Sequence, residues 1–134
     1  MSSPPTETLY WQIRNRIIEH LRLVSSPEAQ LAYQQSAPIA EVSNELFNAW
    51  GDWVADEATI EEFKAPAFSV EEQRAVRQFT ATLEAIALRT PQDLPYITDF
   101  IGTPDWQELA SAAGEALVVF EIRGVSSKLG AGGA

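Results

Sequence analysis

The chain has 134 residues, no cysteine and a net charge of −10 at pH 7, with 46% hydrophobic and 21% charged residues. This length and composition predict one folded domain with its own hydrophobic core, and the lack of cysteine excludes disulfides, thiolate metal sites and a cysteine nucleophile. Because the sequence opens without a basic region and a following apolar run, and no apolar run approaches the ~20 residues that span a bilayer, we expect a cytoplasmic protein with no membrane partner.

Two helices are predicted before residue 40. The first runs from about Thr6 to Val24, because apolar residues recur there at intervals of three and four. His20 lies at the edge of this stripe and is the only histidine, so we interpret it as structural or exposed, with pH sensing as the alternative. The second helix begins with Ser26 as its cap and ends near residue 35. Residues 38–41 are then expected to link it to the next helix.

Residues 42–57, VSNELFNAWGDWVADE, are predicted to form an amphipathic helix around which the rest of the chain packs. Ser43 is the expected N-cap. At 3.6 residues per turn one face is apolar and the other acidic; the two faces consist of Leu46, Phe47, Trp50, Trp53 and Val54, and of Glu45, Asp52 and Asp56. We interpret Trp50 and Trp53 mainly as core residues. The alternative is that one of them reaches the rim of a binding surface.

The second half of the chain predicts two more long helices. Ser69 and Glu72 have the spacing of a capping box, and the helix that they open extends to about residue 89. Residues 91–104 contain three prolines and a glycine, but they are apolar enough to predict an irregular loop packed on the body. A last helix follows Thr103 and stops at Gly124. Residues 117–122 could also form a strand, but no second strand-like run exists to pair with them.

The predicted fold is therefore all-α. It is a compact bundle of about five helices, with an irregular packed loop before the last one. Residues 1–124 are expected to form a single helical domain and residues 125–134, which are rich in glycine and small side chains, a flexible C-terminal tail.

The negative charge is concentrated in the middle of the chain. Residues 41–72 contain nine acidic residues and one lysine, whereas residues 1–40 contain three of each sign. Such a segment repels nucleic acid and anionic membranes, which bind cationic surfaces, and attracts a basic protein. Arg14, Arg16 and Arg22 are too few for a nucleic-acid surface, and we expect them to form ion pairs at the surface. No nucleic-acid partner is therefore expected.

No pattern in the sequence predicts catalysis. Glycine-rich phosphate loops and a GxSxG turn are absent, and one histidine without cysteine argues against zinc. Carboxylates could still bind a hard cation such as Mg²⁺; the candidates are Asp52, Asp56, Glu57, Glu61 and Glu62. We expect no enzyme, no cofactor and no metal, and keep a carboxylate-based metal-binding protein or enzyme as the alternative.

Several stretches resemble a known class of protein. The length, the acidic charge, the run NELFNAWGDWV, the helix start FSVEEQ and the late segment PDWQELASAAGEAL are similar to small acidic bacterial immunity-type proteins, which neutralise toxins. This resemblance implies a protein-binding module that inhibits a cognate toxin, in particular a basic, nuclease-type one.

The resemblance transfers no binding residues, so the expected contacts rest on charge and aromatic character. They are Glu45, Asp52, Asp56, Glu61 and Glu62, with Trp53 as an aromatic anchor. A structural or regulatory subunit, whose acidity serves only solubility, is the remaining alternative.

Overall fold

The computed structural model describes residues 4–90 and 97–124, with side chains from residue 7 onward. Its helices are α1 (Pro4–Val24), α2 (Pro27–Ser36), α3 (Val42–Trp53), α4 (Glu57–Glu61), α5 (Val70–Arg89), α6 (Ile97–Phe100) and α7 (Pro104–Glu121). The all-α prediction is confirmed. Within the described ranges, seven helices replace the predicted bundle of about five, because α4 and α6, of five and four residues, are too short to produce a periodic pattern.

The long helices α1, α5 and α7 form the centre of the molecule. α7 packs most extensively against α5 and next against α1, while α3 packs against α1. Large apolar side chains from all four helices are buried between them; examples are Ile17, Trp50, Phe79 and Phe120. Since burying one such side chain contributes about 1.5–3 kcal/mol, this shared core fixes how the helices sit. None of the helices in the described ranges is long and apolar enough to cross a lipid bilayer.

Three helix starts that the sequence predicts are confirmed. The hydroxyl of Ser26 accepts a hydrogen bond from the Ala29 amide at 3.1 Å, and the hydroxyl of Thr103 accepts one from the Trp106 amide at 3.2 Å. The capping box that opens α5 is complete in both directions. Each cap stabilises its helix by about 1 kcal/mol because it satisfies an amide that has no partner inside the helix.

The predicted helix over residues 42–57 is wrong in its cap and in its end. α3 begins at Val42, and Ser43 is buried in its first turn and makes no cap. The helix stops at Trp53, because Asp56 starts a new helix, α4, by accepting a hydrogen bond from the Thr59 amide at 2.9 Å. An aspartate side chain competes with the helical ladder for backbone amides, which makes it better suited to a cap than to a last turn.

The end of the bundle agrees with the preferred interpretation. Residues 117–121 belong to α7, so the alternative of a strand is wrong. Gly124 follows with φ +75° and donates its amide to the Phe120 carbonyl at 2.9 Å, as expected of a glycine stop. In the predicted loop, Ile97 and Phe100 are buried, whereas residues 91–96 lie outside the described residues. The predicted tail, 125–134, also lies outside them.

Arg14 was expected at the surface and is instead completely buried. Its Nη2 donates to Oε2 of Glu72 at 2.8 Å, and its Nη1 donates to the Gly124 carbonyl at 2.6 Å. Arg123 donates to Oε1 of the same glutamate at 2.6 Å. The prediction failed because the partner lies 58 residues away in the sequence, and such a pairing leaves no local signal. These three charged side chains, which we term the buried ion cluster, connect α1, α5 and the end of α7.

Candidate partner-binding surface

The outward side of α3 carries a row of acidic residues. Glu41 directly precedes the helix, and Glu45 and Asp52 follow at intervals that return to the same side of a helix, with Asn48 between them. All four are exposed, while Val42, Leu46 and Trp50 on the opposite side are buried. The alternation of apolar and acidic residues that fixes α3 on the core therefore also aligns these carboxylates toward solvent.

These acidic residues line a shallow groove, which we term the acidic groove. It has a volume of about 550 Å³ and is formed by Ile39, Ala40, Glu41, Asn44, Glu45, Asn48, Ala49 and Asp52. At one end of the groove, Ile39 is 95% exposed. The groove thus combines negative charge with one aliphatic side chain that is accessible to a partner.

The charges in the acidic groove are not neutralised by the protein itself. Glu45 accepts a hydrogen bond from the Tyr33 hydroxyl at 2.5 Å, which raises the pKa of Tyr33 above its ordinary value. Glu41 accepts one from Nδ2 of Asn44 at 3.0 Å. In the described part of the chain, neither of these glutamates nor Asp52 forms a salt bridge. Their negative charge is therefore available to an external cation.

Trp53 lies in a second groove, on another side of α3. We term it the tryptophan groove; its volume is also about 550 Å³, and it is lined by Leu9, Gln12, Ile13, Asn15, Arg16, Glu19 and Trp53. Trp53 is half-buried and packs partly against the core, whereas Trp50 is buried. The interpretation as a core residue is confirmed for Trp50, whereas Trp53 packs only partly against the core. A position of Trp53 at the rim of a binding surface stays a prediction.

The other predicted contacts are placed elsewhere. Asp56 caps α4, and hydrogen bonds from the amide and hydroxyl of Thr59 lower the pKa of its carboxyl. It lines a third groove, between α4 and α5, where Glu57 pairs with Arg77 at 2.6 Å. Glu61 is exposed at the end of α4.

Glu62 lies in yet another groove, beside Lys64. It accepts a hydrogen bond from the Tyr10 hydroxyl at 2.6 Å. The structure therefore brings Glu45 and Asp52 together in one groove, places Trp53 next to Asp52 in the neighbouring one, and separates these three from the acids of residues 56–62.

Two residues of the acidic groove were not among the expected contacts. Ile39 and Glu41 belong to the predicted linker between helices, and a linker gives no reason to select them. A signal for Glu41 was present, because it lies four residues before Glu45 and would share its side of a helix that started early enough. No feature of the sequence pattern predicts that Ile39 is exposed.

Among the residues that the structure describes, no group of three or more histidine, cysteine, aspartate or glutamate side chains could hold a metal ion.

Comparisons with protein-family models, curated proteins and solved structures found no match to this chain.

Proposed function

We propose that this chain is a protein-binding module, most specifically an immunity protein that acts in the cytoplasm and neutralises a cognate toxin with a basic surface, such as a nuclease. The observation that carries the proposal is the acidic groove. Its three carboxylates lie on one side of α3 and of the residue that precedes it, and they have no cationic partner within the described chain. We assign the main contacts with the toxin to Glu45, Asp52 and Trp53. Asp56, Glu61 and Glu62, which follow later in the chain, are assigned as additional contacts.

Electrostatics explain why such a surface suits an inhibitor of a nuclease. An enzyme that cuts nucleic acid binds phosphates with lysine and arginine side chains. A row of carboxylates on a helix can occupy the same cationic site, and opposite potentials accelerate the encounter by up to about a thousandfold at low salt. The net charge of −10 adds long-range attraction for a basic protein.

The test is to co-express this chain with a panel of basic toxin domains that cleave nucleic acid, followed by copurification and an assay of nucleic-acid cleavage. We expect a stable complex in which cleavage is blocked. The double substitution Glu45→Lys/Asp52→Lys is expected to weaken inhibition by about 10- to 100-fold, because like charges then face each other.

A matched control is the double substitution Glu28→Lys/Glu115→Lys. It makes the same change of charge on exposed residues of α2 and α7, outside the grooves that contain the assigned contacts. We expect it to inhibit almost as well as the unmodified chain. Failure to form any complex, or equal losses in the two double variants, would contradict the proposal.

A further inference from the structure

Trp53 differs from the other tryptophans in what its ring contacts. Trp11 lies near the guanidinium groups of Arg14 and Arg123, at 5.8 and 5.6 Å from the ring centre. The rings of Trp50 and Trp106 pack against phenylalanine rings with centroids 4.7 and 5.0 Å apart. Trp53 has no aromatic or cationic neighbour of this kind in the described ranges, and it remains partly exposed. Its open ring surface is a place where another apolar group can pack.

The tryptophan groove continues this apolar surface onto α1. Leu9, 50% exposed, and the half-buried Ile13 line it together with Trp53. The two charged residues of the groove compensate each other, because Nη1 of Arg16 lies 3.2 Å from Oε1 of Glu19. The groove is therefore apolar along one side and carries no net charge.

α3 separates this neutral groove from the acidic groove. Asp52 and Trp53 are consecutive residues, which a helix directs about 100° apart, and they line different grooves. The helix itself, with 12 residues, is about 18 Å long. One segment of a partner lying across α3 can thus reach both grooves. An apolar patch beside a charged, exposed border is the usual arrangement at the centre of a protein interface.

We infer that the tryptophan groove receives one leucine- or phenylalanine-sized side chain from a basic segment of the partner protein. The lysine or arginine side chains of that segment then lie over α3 and contact Glu45 and Asp52. This inference rests on the proposed function and adds which chemistry the partner must present. An arginine in the groove itself is disfavoured, because the two charged residues of the groove already compensate each other and leave no net negative charge to pair with a guanidinium.

A second copy of this chain is a poor occupant of the same surface. Each copy carries a net charge of −10 and exposes uncompensated acidic residues beside the groove. Two such surfaces repel each other at the ionic strength where a basic partner binds best. Charge therefore favours a basic partner over self-association.

The inference is tested with the full chain and two synthetic helical peptides of about 16 residues. Both peptides carry lysines on one side, and they differ only at a central position, which is leucine in one and alanine in the other. We expect the leucine peptide to bind at least about tenfold more tightly, because its side chain is removed from water. Binding is followed by titration. The tryptophan fluorescence of the chain is expected to shift to shorter wavelength only for the leucine peptide, and Trp53→Ala is expected to remove this shift.

Substitutions in the groove complete the design. Trp53→Ala is expected to abolish the difference between the two peptides, and so is Leu9→Glu, which changes a side chain that is already half exposed and therefore preserves the fold. The control is Leu88→Ala, which removes an apolar side chain that is 90% exposed on α5. It is expected to leave the tenfold preference unchanged.

The outcomes separate this inference from the proposed function. If both peptides bind equally and both are weakened by Glu45→Lys/Asp52→Lys, the apolar site is refuted while the acidic binding surface stands. If neither peptide binds at low salt, the inference and the proposed binding surface both fail. A preference for leucine that persists in Trp53→Ala and Leu9→Glu would place the apolar contact elsewhere and overturn the inference.

Discussion

The buried ion cluster and the acidic groove use the same kind of side chain in opposite ways. In the cluster, the carboxylate of Glu72 is 1% exposed and is held by Arg14 and Arg123. In the groove, Glu45 and Asp52 are exposed and have no cationic partner among the described residues. Both kinds of acid belong to the same negatively charged stretch of sequence. Total charge therefore does not distinguish the two regions, whereas the absence of internal compensation among the described residues marks the groove as the proposed binding surface.

The largest expected effect is on stability, and it comes from the cluster. Arg14→Ala is expected to lower the free energy of unfolding by about 3–5 kcal/mol, because it removes one of the two arginines that hold a buried carboxylate. The control is Arg16→Ala, whose side chain is 61% exposed in an ion pair and whose loss is expected to cost less than about 1 kcal/mol. Urea denaturation measures both. A cost for Arg14→Ala no larger than that of the control would contradict a structural role for the cluster.

Acid is expected to unfold the protein through the same cluster. Burial alone would raise the pKa of Glu72, but hydrogen bonds from Arg123 and Arg14 lower this pKa to about 2, below its ordinary value of 4.5. A carboxyl with a lowered folded-state pKa stabilises the protein above its unfolded-state pKa, and this stability is lost as the pH falls from about 4.5 toward 2. Melting temperatures across this range are expected to fall steeply, and to fall less steeply in Glu72→Gln.

His20 is expected to make the stability of the protein depend on pH in a higher range than Glu72 does. Burial lowers the pKa of its imidazole, an effect that a hydrogen bond with the backbone of Leu46 only partly opposes, and its ring lies 5.6 Å from that of Trp50. Because the folded protein disfavours the charged form, stability is complete above the unfolded-state pKa of 6.5 and decreases as the pH falls below it. Replacing His20 with glutamine is expected to flatten the melting temperature between pH 7 and pH 5. An unchanged slope would refute this assignment.

Substitutions in the acidic groove are expected to have little effect on stability and a large effect on binding, in contrast to substitutions in the buried ion cluster. Glu45→Lys/Asp52→Lys is expected to change the free energy of unfolding by less than about 1 kcal/mol, since both side chains are exposed and neither is in a salt bridge within the described ranges. The same variant is expected to bind a basic partner poorly. If it unfolded as readily as Arg14→Ala, the groove would be a structural element and the contrast between the two regions would disappear.

The smallest expected effect is that of divalent cations. Adding magnesium, calcium or manganese is expected to shift the melting temperature by less than about 1 °C, because a ligand stabilises a protein only when the folded state binds it. A saturable increase of several degrees with one of these metals would instead support the carboxylate-based metal-binding alternative. The measurement is a thermal-shift titration with sodium chloride as the control for ionic strength.

Local interactions explain what could be predicted from the sequence. The caps made by Ser26, Ser69 and Thr103 depend on residues three positions apart, and a short window of sequence contains both partners. The apolar stripes of α1, α5 and α7 repeat at the period of a helix, so they too could be predicted.

Choices between competing local signals could not be predicted from the sequence. Contacts between distant residues could not be predicted either. Ser43 and Asp56 are both good caps by type, but only Asp56 caps a helix. The pairing of Arg14 with Glu72 joins residues 58 positions apart. For the candidate surface, the acidity of α3 was visible in the sequence. Its division into an acidic groove and a tryptophan groove depends on how α3 packs against α1.

The central claim is tested most directly by the rate at which this chain associates with the proposed basic partner as a function of salt. The account predicts a rate constant that decreases steeply from about 20 to 500 mM sodium chloride. Glu45→Lys/Asp52→Lys is predicted to remove most of that dependence, whereas Glu28→Lys/Glu115→Lys is predicted to keep most of it. An association rate that is insensitive to salt, or equally sensitive in both double variants, would contradict the assignment of the acidic groove as the binding surface.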